Sequence, residues 1–430
     1  MKMKYYWVIG LLLFSFLEAK IHVLTIDDIV KMALKHSPEI DSSRLDFKGA
    51  KQRALSAEGF YLPRVDLSAN GGKQRLKYEN KSSSDVYVLA GTLSVSQLLY
   101  DFGKREGRLD YSKQEAYGLE AQMQQVMSDK IYYVKKSYYD ILKIKSIIDV
   151  QHTNIELQKK QLYRAKKYLK AGIKTIIDVS DAEVKVEQAQ LDLKRAEYEL
   201  ELQHAILEET IGYVPYNGNY KLYSKKLSMK KLSRKLPLVK TPLRKLEAFA
   251  YEHRYVLRSS KHYVKGAQSH VKTKEAEYYP SISIGGDYTM QDVGDNDVNI
   301  VSQQQGKVGV NVSWNLFSGY QTDASVQEAK IGVLKANAQV QSVKLAIKKQ
   351  VVESHINLRK GKDIVKLYES ISKASLKKFN QAQKRYENEL SDYVELQDAQ
   401  QGYIQSLSDL VNAYYDYFIA LAQLDHAIGK

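Results

Sequence analysis

The chain repeats itself at a constant offset along the sequence. Pro63 recurs as Pro280, and Gly212 recurs as Gly429, so both differences (280 − 63 and 429 − 212) equal 217. This difference, the repeat offset, also separates three pairs of residue strings: Lys48-Gly49-Ala50 and Lys265-Gly266-Ala267, Val95-Ser96 and Val312-Ser313, and Asp181-Ala182 and Asp398-Ala399. Solenoid repeats are roughly 20–50 residues long, so a repeat of this length indicates a duplicated domain. Because the offset is constant, both copies are predicted to build the same elements in the same order.

Residues 1–19 are predicted to be a secretory signal peptide. Lys2 and Lys4 precede an apolar run from Trp7 to Leu17. This run is too short for a membrane-spanning helix, although a lone N-terminal anchor is the alternative interpretation. The chain has no cysteine, which excludes disulfides and thiolate metal sites. No later stretch reaches 18 consecutive apolar residues, so no transmembrane helix is predicted.

The chain is strongly basic, with a formal net charge of +15. Such a charge is typical of proteins that bind nucleic acid or anionic surfaces. Here the basic residues are mostly mixed with Glu and Asp along helical stretches, except between Thr210 and Leu246, where no acidic residue occurs. Since export carries a chain away from nucleic acid, no nucleic-acid partner is predicted. Residues 213–246 are interpreted as a basic linker between the two copies.

Each copy combines a helix with a β-hairpin. Thr25 is a candidate N-cap, and helical spacing continues from it to about Gly59. After each recurring proline, apolar residues alternate with small or polar ones, which predicts hairpins over residues 64–100 and 281–317. In the second hairpin the apolar set comprises Ile282, Ile284, Tyr288, Val308, Val310, Val312, Trp314 and Leu316. The opposite set of the last strand includes Lys307, Asn311 and Asn315.

A very long helix is predicted after each hairpin. In the first copy it runs from Lys104 to Lys170 without a proline, which corresponds to about 100 Å. After Gly172 a second helix runs from Asp178 to Thr210. Its apolar residues form one seven-spaced row at Val179, Val186, Leu193, Leu200 and Leu207, and another at Val184, Leu191, Tyr198 and Ala205. Two seams indicate two neighbours, as in a ring of helices, whereas the alternative is an ordinary antiparallel bundle with a small hairpin.

Four strands per chain are too few to close a membrane barrel, which needs at least about eight. An open sheet with one continuous apolar face would expose both its edges and that face. Three chains sharing one barrel would supply twelve strands, and two chains would supply eight. Alternation over about ten residues is also typical of outer-membrane strands. The strands therefore predict an oligomer in a membrane.

Several motifs give the chain a family likeness. Tyr61-Leu62-Pro63 and Tyr279-Pro280 precede the hairpins, and the hairpins are followed by Gln97-Leu98-Leu99-Tyr100-Asp101-Phe102-Gly103-Lys104 and Trp314-Asn315-Leu316-Phe317-Ser318-Gly319. The helical turns carry Ala171-Gly172-Ile173-Lys174-Thr175-Ile176-Ile177-Asp178-Val179 and Arg385-Tyr386-Glu387-Asn388-Glu389-Leu390-Ser391-Asp392-Tyr393. With these motifs in this order, the chain resembles the TolC-like outer-membrane efflux proteins over essentially its whole mature length.

The resemblance implies an α+β fold, mostly α, in which three chains form a 12-strand β-barrel continuous with a 12-strand α-helical barrel. Residues 20–212 and 247–430 would be the two copies, and the basic linker would lie on the equatorial belt. The homotrimer would sit in outer-membrane lipid and extend into the periplasm. It would dock a periplasmic adaptor (membrane fusion) protein and, through it, an inner-membrane pump of RND, ABC or MFS type. The implied function is the exit duct of a tripartite efflux or type I secretion system, and the alternative is a periplasmic coiled-coil scaffold or adaptor without a barrel.

The resemblance also assigns site residues. The periplasmic gate maps to Glu395, Asp398, Asp178 and Asp181, and the adaptor-docking tips map to Gly172, Ile173, Lys174, Asn388, Ser391 and Asp392. The alternating strand places Lys307, Asn311 and Asn315 in the barrel lumen. The gate carboxylates have an alternative interpretation as acidic residues that stabilise a helix N-terminus. Glu389 stands where relatives often have glycine, so Asn388 is predicted to adopt the left-handed turn conformation instead.

No enzyme activity is predicted. The sequence contains no catalytic constellation and no phosphate-binding loop, and its histidines lack metal-ligand spacing. No cofactor or metal is expected. The cargo stays open among drugs, metal ions, siderophores and secreted proteins, because the pump selects it.

Overall fold

The computed structural model describes residues 22–76, 84–173, 175–224, 232–294 and 300–430, so the predicted signal peptide and Lys174 lie outside the described residues. The helices are α1 (Ile26–His36), α2 (Pro38–Gly59), α3 (Lys104–Lys170), α4 (Ile176–Ile211), α5 (Leu243–His253), α6 (Tyr255–Glu275), α7 (Gln321–Glu387) and α8 (Tyr393–Ile428). The strands are β1 (His22–Leu24), β2 (Arg64–Leu76), β3 (Ser84–Tyr100), β4 (Tyr220–Leu222), β5 (Ser281–Gly294) and β6 (Ile300–Ser313). None of the helices in these ranges is both long enough and apolar enough to cross a lipid bilayer.

The repeat offset also separates the longest helices. Helices α3 and α7 each contain 67 residues, and α4 and α8 each contain 36. Their first residues differ by 217 in both pairs (321 − 104 and 393 − 176). The bounds predicted for the first long helix, Lys104 to Lys170, are confirmed.

The prediction of a single opening helix from Thr25 to Gly59 is wrong, because the structure has two helices there, α1 and α2. Thr25 does cap α1, in a reciprocal capping box with Asp28. Ser37 then adopts an extended conformation with a ψ of 121°. The ring of Pro38 disfavours a helical conformation at the residue before it, which ends α1. The same break recurs at the matched position of the second copy, Arg254, with a ψ of 119° and no proline. The Arg254 guanidinium donates to the carbonyl oxygens of His426 (2.9 Å) and Ala427 (3.2 Å) at the end of α8.

The described chain divides into two compact units. Of the described residues, the first unit holds those within 22–37, 130–238 and 358–422, and the second holds those within 38–129, 239–357 and 423–430. In the first unit, β1 pairs in parallel with β4. A core cluster of this unit includes Leu24, Val134, Ile141, Leu207, Ile211 and Val411, all fully or nearly fully buried. At the C-terminal end of α4, the predicted seam is therefore buried in this hydrophobic core.

The basic linker is anchored on α7 inside the first unit. The Ser233 backbone N–H donates to the Glu369 carboxylate at 3.2 Å, and the Ser233 hydroxyl contacts the same carboxylate oxygen. Burial disfavours the charged form of Glu369, but these hydrogen bonds and the Lys373 ammonium hold its pKa below the usual range. Residues 225–231 of the linker lie outside the described residues.

The second unit contains an antiparallel four-stranded sheet in the order β2-β3-β5-β6. Strand β6 ends at Ser313, which pairs with Ser281, so the hairpin predicted to reach residue 317 is too long. The next pair would join Trp314 to Pro280, and proline has no N–H to donate to the ladder. The Trp314 indole instead donates to the Tyr278 carbonyl oxygen at 3.0 Å. Asn315 therefore lies outside the strand that was predicted to turn it towards the lumen.

Helices α3 and α6 approach each other closely in the second unit. A Cβ atom at Gly107 would lie 2.6 Å from Thr273 Oγ1, 2.8 Å from the Ser269 carbonyl oxygen and 2.9 Å from the Thr273 backbone nitrogen. These distances are shorter than van der Waals contact, so only glycine fits at this crossing.

Candidate functional site

The sheet of the second unit has one apolar and one polar face. On the apolar face, Ile282 pairs with Val312 and Ile284 with Val310, as the alternation predicted. This face is open in the single chain, since Val308 is 86% exposed and Leu67 is 80% exposed. On the polar face, Lys307 pairs with Asp287 and Asn311 pairs with Ser283. A soluble monomer rarely leaves an apolar surface of this extent uncovered.

Aromatic side chains are concentrated where the strands meet the helices. They are all at least 38% exposed, and they comprise Phe60, Tyr61, Tyr100, Phe102, Tyr279, Trp314, Phe317 and Tyr320. Phe102 stacks on Tyr279 with a ring separation of 4.9 Å. Aromatic girdles of this kind border the apolar band of membrane strands, because these rings favour the interface between lipid and water.

The turn between α3 and α4 is built on a left-handed glycine. Gly172 has a φ of +73°, and the Ile173 N–H donates to the Tyr168 carbonyl oxygen at 2.9 Å. Ile173 is 52% exposed. Both the backbone N–H and the hydroxyl of Thr175 donate to the Asp178 carboxylate at 2.9 Å. Asp178 therefore stabilises the N-terminus of α4, as the alternative interpretation of this carboxylate proposed.

The turn between α7 and α8 has the same form, but its left-handed residue is Glu389, with a φ of +59°. The prediction that Asn388 takes this conformation is wrong. The Asn388 side-chain amide instead donates to the Lys384 carbonyl oxygen at 2.9 Å and so satisfies the end of α7. The Asp392 carboxylate accepts from the Glu395 N–H at 2.8 Å and caps α8. The buried Ser391 hydroxyl oxygen has no hydrogen-bond partner within the part of the chain that the structure describes.

The predicted gate carboxylates of α8 both face basic residues of α7. Glu395 lies 3.1 Å from the Arg385 guanidinium, and Asp398 lies 2.6 Å from the Lys378 ammonium. Their spacing of three puts them on one side of α8, as predicted. Each carboxylate therefore has a cationic partner within the chain, so these two negative charges are locally compensated.

The predicted gate carboxylates of α4, Asp178 and Asp181, lie near tyrosines of the opposite turn. Burial raises the pKa of Tyr386 to about 12, and Tyr168 and the charge of Asp178 act in the same direction. Burial also raises the pKa of Tyr393, where Asp181 and Asp178 contribute. The structure thus brings Asp178 and Asp181 together with Tyr393, while Glu395 and Asp398 pair with α7.

Exposed apolar residues at both turns were missed by the sequence interpretation. Ile176 is 63% exposed and Ile177 is 67% exposed beside the first turn. Leu390 (68%) and Val394 (71%) occupy the positions that the repeat offset matches to Ile173 and Ile177. The recurrence of an apolar residue at matched positions outside the buried seams is the sequence signal that identifies them.

A layer of buried glutamines lies between α3 and α8 near these turns. Gln158 and Gln397 are hydrogen-bonded to each other, with the Gln397 amide nitrogen 3.0 Å from the Gln158 oxygen. Gln400 is fully buried, yet neither its amide nitrogen nor its oxygen has a hydrogen-bond partner among the described residues. An unpaired buried polar group of this kind costs about 1–3 kcal/mol.

We expect Gln400→Leu to raise the free energy of unfolding by about 1–2 kcal/mol, because an apolar side chain of similar size removes two unpaired groups. Gln397→Leu is the matched control. It should lower the free energy of unfolding, since it leaves the buried Gln158 amide without its partner. Chemical denaturation of the two variants, followed by circular dichroism, measures both changes. A loss of stability in Gln400→Leu would contradict the prediction.

The described residues contain no group of three or more His, Asp or Glu side chains placed to hold a metal ion. The second unit instead presents a four-stranded sheet with an exposed apolar face. The sequence model of the outer membrane efflux proteins matches residues 29–213 and again residues 250–430. The chain belongs to the outer membrane efflux protein family. It is an outer-membrane channel protein and not an enzyme.

Relatives of this efflux protein match it over nearly its whole length. It is 21% identical to the outer membrane protein TolC of Vibrio cholerae over 405 residues, which cover 94% of this chain and 90% of that protein. It is 20% identical to the alkaline protease secretion protein AprF of Pseudomonas aeruginosa, and the match covers 98% of this chain and 88% of AprF. The crystal structure of the outer membrane protein VceC of Vibrio cholerae has the same fold, with a TM-score of 0.79, 17% identity and coverage of 94% and 96%.

Proposed function

We propose that three copies of this efflux protein form one channel, with a 12-strand β-barrel in the outer membrane and a 12-strand α-helical barrel in the periplasm. The exposed apolar face of the sheet is the observation that carries the proposal. One chain supplies four strands with two open edges, and pairing those edges with further copies covers them. Lipid then covers the apolar face, and the polar face, with Lys307 and Asn311, lines the lumen.

The two seams of α4 support further chains as neighbours. In the first seam, Val179 and Val186 are 5% exposed, and Leu207 is fully buried. In the second seam, Val184 is 64% exposed and Tyr198 is 67% exposed. One seam is therefore covered within the chain, and a neighbouring copy would cover the other.

The channel is proposed to be the exit duct of a tripartite efflux or type I secretion system. Its two helical turns dock a periplasmic adaptor, and an inner-membrane pump of RND, ABC or MFS type delivers the cargo. The docking surface comprises Gly172, Ile173, Lys174, Asn388, Ser391 and Asp392. The exposed Ile177 and Val394 extend it with apolar area, which supplies most of the driving force for association. Family members include both efflux and secretion proteins by name, so the pump decides the cargo.

The mass of the detergent-solubilised protein tests the assembly. Light scattering coupled to size exclusion should give a protein mass of three chains, each of 49.2 kDa or less after signal-peptide removal. The protein should also fractionate with outer membranes. A monomer that stays soluble without detergent would instead favour the alternative, a periplasmic coiled-coil scaffold or adaptor.

Glu395 and Asp398 are proposed to restrict the periplasmic entrance. Replacing both with alanine leaves Arg385 and Lys378 without their anionic partners, so the entrance gains positive charge in each of three chains. We expect weaker block by divalent cations and a higher single-channel conductance in planar bilayers.

Asp181→Ala is the comparison for the first turn, because Asp178 caps α4 and its removal would also weaken the helix. If Asp181→Ala alters cation block as strongly as the double variant, both turns contribute to the gate. Unchanged conductance and block in the double variant would mean that Glu395 and Asp398 only stabilise the contact between α7 and α8.

A further inference from the structure

A pocket of about 370 Å³ lies in the second unit where β3 joins α3. Its walls carry four cationic side chains and one carboxylate, namely Lys104, Arg105, Arg108, Lys274 and Asp101, together with His270. Phe60 and Leu98 close its apolar side. The pocket therefore combines a surplus of positive charge with a boundary of apolar residues.

The one carboxylate is already neutralised. Arg105 contacts Asp101 at 3.1 Å and donates to the Leu98 carbonyl oxygen at 2.7 Å, so its guanidinium is part of the structural frame. Lys104 and Lys274 share the single carboxylate of Glu277, at 3.6 and 3.5 Å.

Arg108 has no carboxylate within 4 Å in the described ranges, and its guanidinium lies over the Phe60 ring at 4.3 Å. A guanidinium held against a ring in this way is fixed in position and keeps its N–H donors available. Arg108 and the shared lysines thus leave positive charge unmatched in the pocket.

Helix formation does not explain these cations. Lys104, Arg105 and Arg108 occupy the first turns of α3, where the helix dipole disfavours positive charge. Helix α7 starts at the matched position without them, since the repeat offset matches the three cations to Gln321, Thr322 and Ser325. The helix start therefore tolerates uncharged residues, and it does not account for Lys104 and Arg108, whereas Arg105 is explained by its contacts with Asp101 and Leu98.

We propose that this pocket binds a phosphate group, either free inorganic phosphate or the phosphodiester of a lipid headgroup. Guanidinium and ammonium groups are the usual donors to phosphate oxygens, and a phosphate anion would offset the unfavourable charge at the start of α3. The surrounding aromatic residues place the pocket next to the surface proposed to contact the lipid–water interface. The proposal concerns the pocket itself and does not depend on the channel role.

The test uses the full-length protein in a detergent without charge or phosphate. Titration calorimetry is carried out with inorganic phosphate, with short-chain phosphatidylglycerol and with short-chain phosphatidylcholine. The pocket variant Lys104→Gln/Arg108→Ser carries the residues found at Gln321 and Ser325, so it preserves the helix start. Lys274→Ala on α6 carries the residue of the matched position Ala57 and provides an independent second variant. Lys348→Gln/Lys349→Gln, on the exposed surface of α7, is the matched charge control.

We expect the dissociation constant for phosphate or phosphatidylglycerol to rise at least about tenfold in the pocket variant and to stay unchanged in the control, because charge-assisted contacts are lost. Binding of phosphatidylglycerol alone would identify a lipid headgroup as the ligand, and binding of inorganic phosphate alone would identify the free ion. The proposal would be overturned if neither phosphate nor phosphatidylglycerol bound, or if the pocket and control variants lost affinity equally. Equal affinity for phosphatidylcholine and phosphatidylglycerol would also overturn it.

Discussion

Replacing Gly107 with valine is expected to lower the free energy of unfolding by at least about 3 kcal/mol. The added Cβ would lie under 3 Å from two backbone atoms of α6, the Ser269 oxygen and the Thr273 nitrogen. Backbone atoms cannot move aside as the end of a flexible side chain can, so α3 and α6 would have to separate. Overpacking typically costs about 1–3 kcal/mol, and the backbone contact and the valine methyl groups place this site at or above the upper end.

Gly332→Val is the matched control, since Gly332 also lies inside a long helix. A Cβ there meets nothing within 4 Å, and valine favours a helix more than glycine does. Chemical denaturation of both variants, followed by circular dichroism, measures the free energy of unfolding. It should fall strongly for Gly107→Val and should not fall for Gly332→Val. Equal stability of the two variants would show that the crossing of α3 and α6 can widen at little cost.

Replacing Val308 with arginine is expected to remove the protein from the outer membrane. Among the sheet residues whose exposure is described, Val308 is the most exposed apolar one, and it lies near the middle of β6. An arginine on the lipid face of a membrane strand costs about 2–4 kcal/mol at the bilayer midplane. Three copies in one barrel would each bear this cost, so membrane assembly should fail.

Asn311→Arg adds the same side chain to the polar face of the same strand. The proposed barrel turns this face to its lumen, where a charge stays hydrated, so this variant should assemble normally. Membrane fractionation followed by quantitative immunoblotting compares the two. If both variants disappear from the outer-membrane fraction, β6 tolerates arginine on neither face. If both remain in that fraction, the result would contradict a lipid contact at Val308.

Periodic patterns in the sequence determined the regular elements. Alternation over residues 64–100 and 281–317 predicted strands whose apolar residues share one face, and the paired register confirms the shared face for Ile282 with Val312 and Ile284 with Val310. The bounds of α3 followed from a run without proline, and the buried seam of α4 followed from its seven-residue spacing, with Val186 and Leu207 nearly inaccessible. These features are local, because period 2 and period 3.6 are properties of a single element.

Tertiary contacts determined what those patterns left open. The break at Arg254 depends on carbonyl groups at the far end of α8, and the end of β6 depends on the proline that immediately precedes the partner strand β5. Glu389 adopts a left-handed conformation although Asn388 is intrinsically better suited to it, because the turn geometry fixes which position needs a positive φ. The cationic partners of Glu395 and Asp398 and the pocket around Arg108 join residues from different elements, and a sequence pattern within one element carries no information about such neighbours.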